Sequence, residues 1–86
     1  MLIPVSEIIY IEAMNNYCRI FRAGNVCTQT RMTLKSLIDM LPSEGFVRIH
    51  RSFVVASDKI SSFNKREVTL VSGKILPVGR QYADSL

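Results

Sequence analysis

The side chains best equipped for chemistry in this 86-residue sequence stand side by side at positions 50–52, His50-Arg51-Ser52, within the string FVRIHRSFVV. An imidazole, a guanidinium and a hydroxyl could serve nucleophilic catalysis, metal binding or recognition of an anion. Catalysis needs a base beside a Ser or Cys nucleophile and a third group to orient that base. His50 is the single histidine, and Asp58 or Asp84 would have to act as the third member, with no spacing that favours either. A structural zinc site needs four ligands, and one His with two Cys outside any CxxC pair does not supply them. Glycines stand singly at 24, 45, 73 and 79, so no loop is built to cradle a phosphate. The expectation is a protein without catalytic residues, metal or cofactor.

Anion recognition is left, and Arg51 carries it. Val47, Ile49, Phe53 and Val55 would share one face of a strand, and the same alternation sets Arg51 on that apolar face. Burying a guanidinium unpaired costs several kcal/mol, about as much as a small domain's whole margin. Two solutions are open: a bulge at His50–Ser52 that swings Arg51 outward, or a strand end with a short reversal. Either displays cation and hydrogen-bonding groups at one spot. Further polar groups gather at other chain reversals: Asn15-Asn16, Lys59, Lys65-Arg66, Lys74 and Arg80. Lys65-Arg66 reads as a distal turn whose charges matter little.

The composition suits a polyanionic partner. Lys plus Arg number 11 against 7 Asp plus Glu, for a net charge of +4 and a pI near 9.4. With 48% hydrophobic residues the chain is globular, and its length gives one domain and a binding surface in preference to a deep pocket. No signal peptide or membrane span is recognisable, since Pro4, Ser6 and Glu7 interrupt the apolar N-terminal stretch. Cys18 and Cys27 read as two reduced, structural thiols of a cytoplasmic protein.

The elements that must position these groups are mostly strands. EIIYIEA (7–13) and YCRIFRA (17–23) flank the Asn15-Asn16 reversal, with Cys18, Ile20 and Arg22 on one face of the second strand and Arg19 and Phe21 on the other. Gly24-Asn25 marks a hairpin turn to VCTQTR (26–31), a register that would set Cys27 opposite Arg22. TLKSLIDML (33–41) is the one helix: Thr33 can cap it, Leu34, Leu37, Ile38 and Leu41 recur at helical spacing, and Pro42 stops it. Lys35 and Asp39 face solvent. FVRIH, SFVVAS, KISSFN, EVTLV and KILPV follow as strands, with turns at Lys65-Arg66 and Ser72-Gly73, and GRQYADSL ends in a loop and a frayed turn of helix.

FVRIHRSFVV, together with IIYIEAMNNYCRIF before the first hairpin, TLKSLIDMLP as the helix and GKILPVGRQY near the end, resembles the LytTR family of bacterial DNA-binding domains, named for LytR/AlgR-type regulators. The likeness runs from about Val5 to Leu86. It implies a mostly β, elongated arrangement of small sheets with one short amphipathic helix, over a single domain 1–86 cut from the C-terminal end of a longer response regulator. It further implies sequence-specific binding of double-stranded DNA by edge loops in successive major grooves, on direct repeats, with a homodimer on DNA as one arrangement. The implied partners in the full-length protein are an upstream receiver domain and a sensor kinase of a two-component system.

Matched residue by residue, the resemblance puts base contacts on Asn16, Arg51 and Arg80. It puts DNA-contacting or supporting roles on Asn15, Tyr17, Arg48, His50, Ser52, Lys59, Lys74 and Gln81. His50 is open between contacting DNA and supporting the loop from beneath. Departures are Ala56 where Asn is expected, which would loosen that turn; Gly79 where Ser is more usual; and MLIPV in place of a preceding strand. A different class of function, a small β module pairing a partner along an exposed sheet edge, stands as the alternative. A membrane-surface role is disfavoured, because no amphipathic helix has a cationic face.

Overall fold

In the computed structural model of the chain, residues 3–86 are described; most of the MLIPV stretch can be placed, but Met1 and Leu2 lie outside the described residues. Among the described residues eight strands form two antiparallel sheets: β1 Ile8–Ala13, β2 Cys18–Arg22, β3 Val26–Thr30, β4 Phe46–His50 and β5 Phe53–Ala56 in the first, β6 Ile60–Phe63, β7 Glu67–Leu70 and β8 Ile75–Pro77 in the second. The first sheet runs β3-β2-β1-β5-β4 and the second β6-β7-β8. One helix, α1 Leu34–Met40, joins β3 to β4, and short 3-10 turns occupy Val5–Glu7, Ser57–Lys59 and Arg80–Ser85. The whole measures 33 × 26 × 22 Å.

The first sheet is the middle of three layers. Ile8, Ile11, Cys18, Ile20 and Val54 on one face pack against Leu34 and Leu37 of α1. Tyr10, Ile49 and Val55 on the other pack against Val68, Leu70 and Leu76 of the second sheet. Strand period alone cannot place both Ile8 and Ile11 against the helix, because they are three residues apart. A register shift between Ile8 and Tyr10 absorbs the odd residue. It returns Ile11 to the helix side while Tyr10 stacks on Phe21 at 4.3 Å on the opposite face.

Local chemistry sets the element ends as the pattern requires. The Thr33 side chain accepts the Ser36 N–H at 3.1 Å, and the helix stops before Pro42. Lys35 and Asp39 are exposed. The β2–β3 turn uses Gly24 and Asn25 at φ +82° and +60°, the left-handed region those two residue types tolerate best. The turn spans three residues, so Arg22 faces Val26 and Cys27 faces Phe21. Cys27 therefore sits one place off the expected pairing with Arg22, and it is exposed where a structural thiol was expected. Arg22 instead donates to Glu7 at 3.2 Å and to the Thr28 hydroxyl at 3.3 Å. At the Ala56 turn, Ser57 N–H donates to the Gly45 carbonyl at 2.8 Å and Ile60 N–H closes the 3-10 turn on Ser57, so backbone bonds hold it without an Asn side chain.

Cys18 is buried and its thiol donates to the Met32 carbonyl at 3.2 Å, and burial pushes its pKa up. The thiolate is the reactive form. Iodoacetamide at neutral pH is expected to alkylate Cys27 at least ~10-fold faster than Cys18 in the folded protein, by peptide mass mapping over time. Equal rates would mean that the β2–β3–α1 corner opens freely.

Candidate nucleic-acid interface

Three chain reversals meet at one end of the first sheet. Phe46 faces Ala56 and Arg48 faces Val54, but His50 faces Phe53, so Ile49 is the extra residue of a bulge and the chain reverses at Arg51-Ser52. Both physical solutions to the Arg51 problem are thus used together, with the bulge one step earlier than His50–Ser52. Val47, Ile49, Phe53 and Val55 all join the apolar layer under the second sheet, as their alternation requires, and Arg51 leaves it for solvent.

The reversal is held by its neighbours' side chains. Arg48 donates from Nε to the His50 carbonyl at 3.3 Å and from Nη2 to the Arg51 carbonyl at 2.7 Å. Its guanidinium lies 5.4 Å from the centre of the Tyr82 ring, within cation–π range. His50 Nδ1 accepts the Ser52 N–H at 3.0 Å, and the ring meets Phe53 edge-on at 5.5 Å. An accepting Nδ1 carries no proton, so the hydrogen of the neutral ring is on Nε2. His50 therefore supports the loop through one nitrogen. Arg48, to which the resemblance gave a DNA-contacting or supporting role, spends donors on carbonyls.

The other two reversals are tied to this one through backbone. Ala13 N–H donates to the Ser52 carbonyl at 2.8 Å, and the β1–β2 turn is closed by Met14 N–H to the Tyr17 carbonyl at 2.8 Å. Asn15 and Asn16 project at its tip, exposed. On the opposite flank Gly79 N–H donates to the Ile49 carbonyl at 2.7 Å and Tyr82 N–H to the Gly79 carbonyl at 2.9 Å. A Cβ at position 79 would stand 3.1 Å from Tyr82 Cδ2 and 3.5 Å from His50 Cα. The tighter contact is to the ring of Tyr82 in the same segment and the one to His50 is an ordinary van der Waals distance, so the departure from Ser has no structural explanation here.

Two shallow grooves result, and Arg51 belongs to both. One is lined by Met14, Asn15, Tyr17, Arg51 and Ser52, the other by His50, Arg51, Gly79, Arg80, Gln81 and Tyr82. Arg51, Arg80 and Gln81 are exposed; Tyr17, His50 and Ser52 are half-buried. Arg51 and Arg80 share the second groove, and Asn16 stands exposed at the β1–β2 tip next to Asn15, which lines the first. Their amide and guanidinium groups can offer paired donors and acceptors to a flat hydrogen-bonding edge.

Lys59 and Lys74 are not on it. Lys59 follows β5 at the end remote from Ser52, and its carbonyl accepts the Val71 N–H at 2.9 Å, while the Lys74 carbonyl accepts Leu70 N–H at 2.8 Å. The four residues of β5 or β7, about 13 Å of strand, separate them from the rim. Lys65-Arg66 shows the reverse error. Val78 N–H donates to the Arg66 carbonyl at 2.9 Å, so this turn adjoins the Arg80 segment and is not distal. Sequence spacing could not have shown either, because the second sheet's placement is a tertiary fact. The clamp of Arg48 and Tyr82, 34 positions apart, left no local signal either.

A family model described as LytTr DNA-binding domain matches residues 1–86. The chain is 30% identical over 86 residues to the CO-responsive transcriptional regulator RcoM of Rhodospirillum rubrum, covering 91% of this chain and 35% of that protein. It is 33% identical over 67 residues to a response regulatory protein of Vibrio cholerae, covering 74% of this chain and 26% of that protein. The chain thus spans 35% or less of the length of these curated relatives. Among solved structures it is similar, with a TM-score of 0.87 and 24% identity, to the LytTr DNA-binding domain of a Bacillus cereus protein described as a methyl-accepting/DNA response regulator. That match covers 98% of this chain and 81% of the other, and at this identity the likeness is one of fold.

The His50 acceptor gives a direct test of the reversal. His50→Phe keeps an aromatic ring against Phe53 and removes Nδ1. A buried hydrogen bond is worth about 1–1.5 kcal/mol, so the Ser52 amide is expected to exchange its hydrogen roughly 10-fold faster by NMR. Unchanged protection at Ser52 would show that Arg48 alone holds the turn.

Proposed function

The chain belongs to the LytTr DNA-binding domain family, and from that premise we propose that it binds double-stranded DNA sequence-specifically through the rim of Asn16, Arg51 and Arg80, as the output domain of a two-component transcriptional regulator. The observation that carries the reading is the shared rim itself. The base-reading side chains inferred from family resemblance come from three separate segments, and backbone hydrogen bonds fasten all three to one sheet end.

In this reading the β1–β2 and β4–β5 reversals and the Arg80 segment enter successive major grooves. Arg51 and Arg80 each present parallel N–H donors to guanine O6 and N7, and Asn16 pairs with adenine N6 and N7. Each such bidentate pair discriminates by about 1–3 kcal/mol. Asn15, Tyr17, Ser52 and Gln81 flank the contacts and reach phosphate or sugar, and His50 and Arg48 hold the loop that carries Arg51. In this reading two copies side by side would bind direct repeats, as the family resemblance implies. The upstream receiver domain and sensor kinase belong to the longer regulator of which residues 1–86 would be one domain. No chemical step is required of any residue here.

Arg80 and Arg51 can be tested separately. Arg80→Ala is expected to lower affinity for the cognate repeat roughly 10–100-fold with melting temperature unchanged, because Arg80 is exposed; unaltered affinity would remove it from the site. The repeat is obtained by selecting bound duplexes from a random pool with the isolated chain. Replacing single guanines of the repeat by 7-deazaguanine removes N7 and is expected to weaken binding at the position Arg51 reads. No loss at any guanine would mean that Arg51 touches phosphate or nothing. Sheet-edge pairing with a protein partner, the other class of function, predicts no steep linear fall of log affinity with log salt, whereas DNA binding requires one.

A further inference from the structure

We propose that the DNA-binding rim extends beyond its three base-reading segments and ends in two phosphate clamps, Lys65-Arg66 on one flank and Arg31 on the other. The proposal rests on the reading above and adds contacts that the resemblance does not assign to these residues. The β6–β7 turn is rigid. Asn64 Oδ1 accepts both the Arg66 N–H at 2.7 Å and the Glu67 N–H at 3.0 Å, and Asn64 N–H donates to the Glu67 carbonyl at 3.0 Å. The Val78 N–H to Arg66 carbonyl bond then fixes that turn beside the segment that carries Arg80 two residues later. Lys65 and Arg66 are both exposed. Glu67 beside them is exposed too, which leaves this turn a net charge of +1.

Arg31 occupies the equivalent place across the first sheet. Thr30 faces Cys18, immediately after the β1–β2 turn, so the residue that follows β3 emerges beside Tyr17. Met32 N–H donates to the Thr30 carbonyl at 3.0 Å and the Cys18 thiol to the Met32 carbonyl, which pins the backbone on both sides of Arg31. Arg31 itself is exposed. In strand order, the rim thus runs from Arg31 through Asn15-Asn16 and Arg51 to Arg80 and then Lys65-Arg66.

Positive charge is in excess at the rim end. Arg31, Arg48, Arg51, Lys65, Arg66 and Arg80 stand at the rim end, against the carboxylates of Glu12, Glu67 and Asp84. The far end carries Glu7, Glu44 and Asp58 together with Arg22, Lys59 and Lys74, so its charges balance while the rim end keeps an excess of cations. The excess of positive charge draws a duplex toward the rim. Cations at the flanks of a base-reading surface add affinity without sequence choice, because each phosphate they neutralise releases condensed counterions.

The test is a salt titration of binding to the selected duplex and to a scrambled one. For Lys65→Ala/Arg66→Ala the slope of log affinity against log salt is expected to flatten by about 1.8, and for Arg31→Ala by about 0.9. Each variant should weaken both duplexes by the same factor, leaving the specificity ratio intact. Lys59→Ala/Lys74→Ala, at the far end, is expected to leave the slope unchanged. Lys65→Glu/Arg66→Glu should exceed the alanine pair in effect, with the thermal melt confirming the fold. A wild-type slope retained by Lys65→Ala/Arg66→Ala and by Arg31→Ala overturns the clamps alone. Failure of the wild-type chain to bind either duplex overturns the DNA-binding reading and the clamps together.

Discussion

A guanidinium cannot be left unpaired inside a domain of this size, and the β4–β5 reversal is where that constraint shapes the molecule. The strand that carries Val47 and Ile49 inward would carry Arg51 inward as well. A bulge at Ile49 and a turn at Arg51-Ser52 send it to solvent instead. The bent backbone leaves carbonyls at His50 and Arg51 that need donors, and Arg48 supplies them while resting on Tyr82. One arginine is thus consumed in holding another where it can act. The same end of the sheet then receives the β1–β2 turn and the Arg80 segment through main-chain bonds that involve no functional side chain.

This division of labour lets a small domain hold an ordered polar surface built from loops. Loop side chains are ordered only when their backbone ends are fixed, and here every reversal at the rim is bonded to a strand or to another reversal. The two bulges have parallel uses. The one at Ile9 lets a single strand serve two apolar layers, helix on one side and second sheet on the other. The one at Ile49 keeps an apolar residue in the core while releasing the polar residues after it. Rigidity beneath and exposure above arise from the same few irregular positions.

Gly79 shows how close the parts must come. Its N–H bond to the Ile49 carbonyl brings the Arg80 segment beside His50, which makes Arg51 common to two grooves. The excess of positive charge at the rim end is likewise a property of the assembled molecule. No stretch of the sequence is strongly basic by itself.

Local physics made most elements legible in advance. Hydrophobic spacing and the Thr33 cap located α1, turn-forming Gly24-Asn25 and the Asn15-Asn16 pair located the first hairpins, and the broken alternation at Arg51 marked the loop at the heart of the rim. Each of these depends on residues within a few positions of one another. What the tertiary structure alone decided was which loops share an end. It set Lys59 and Lys74 at the far end, brought Lys65-Arg66 next to the Arg80 segment, moved Cys27 by one place and gave Arg48 to the turn. Those outcomes depend on register, bulges and the packing of one sheet on another. They are fixed by contacts between residues tens of positions apart, which no local pattern encodes.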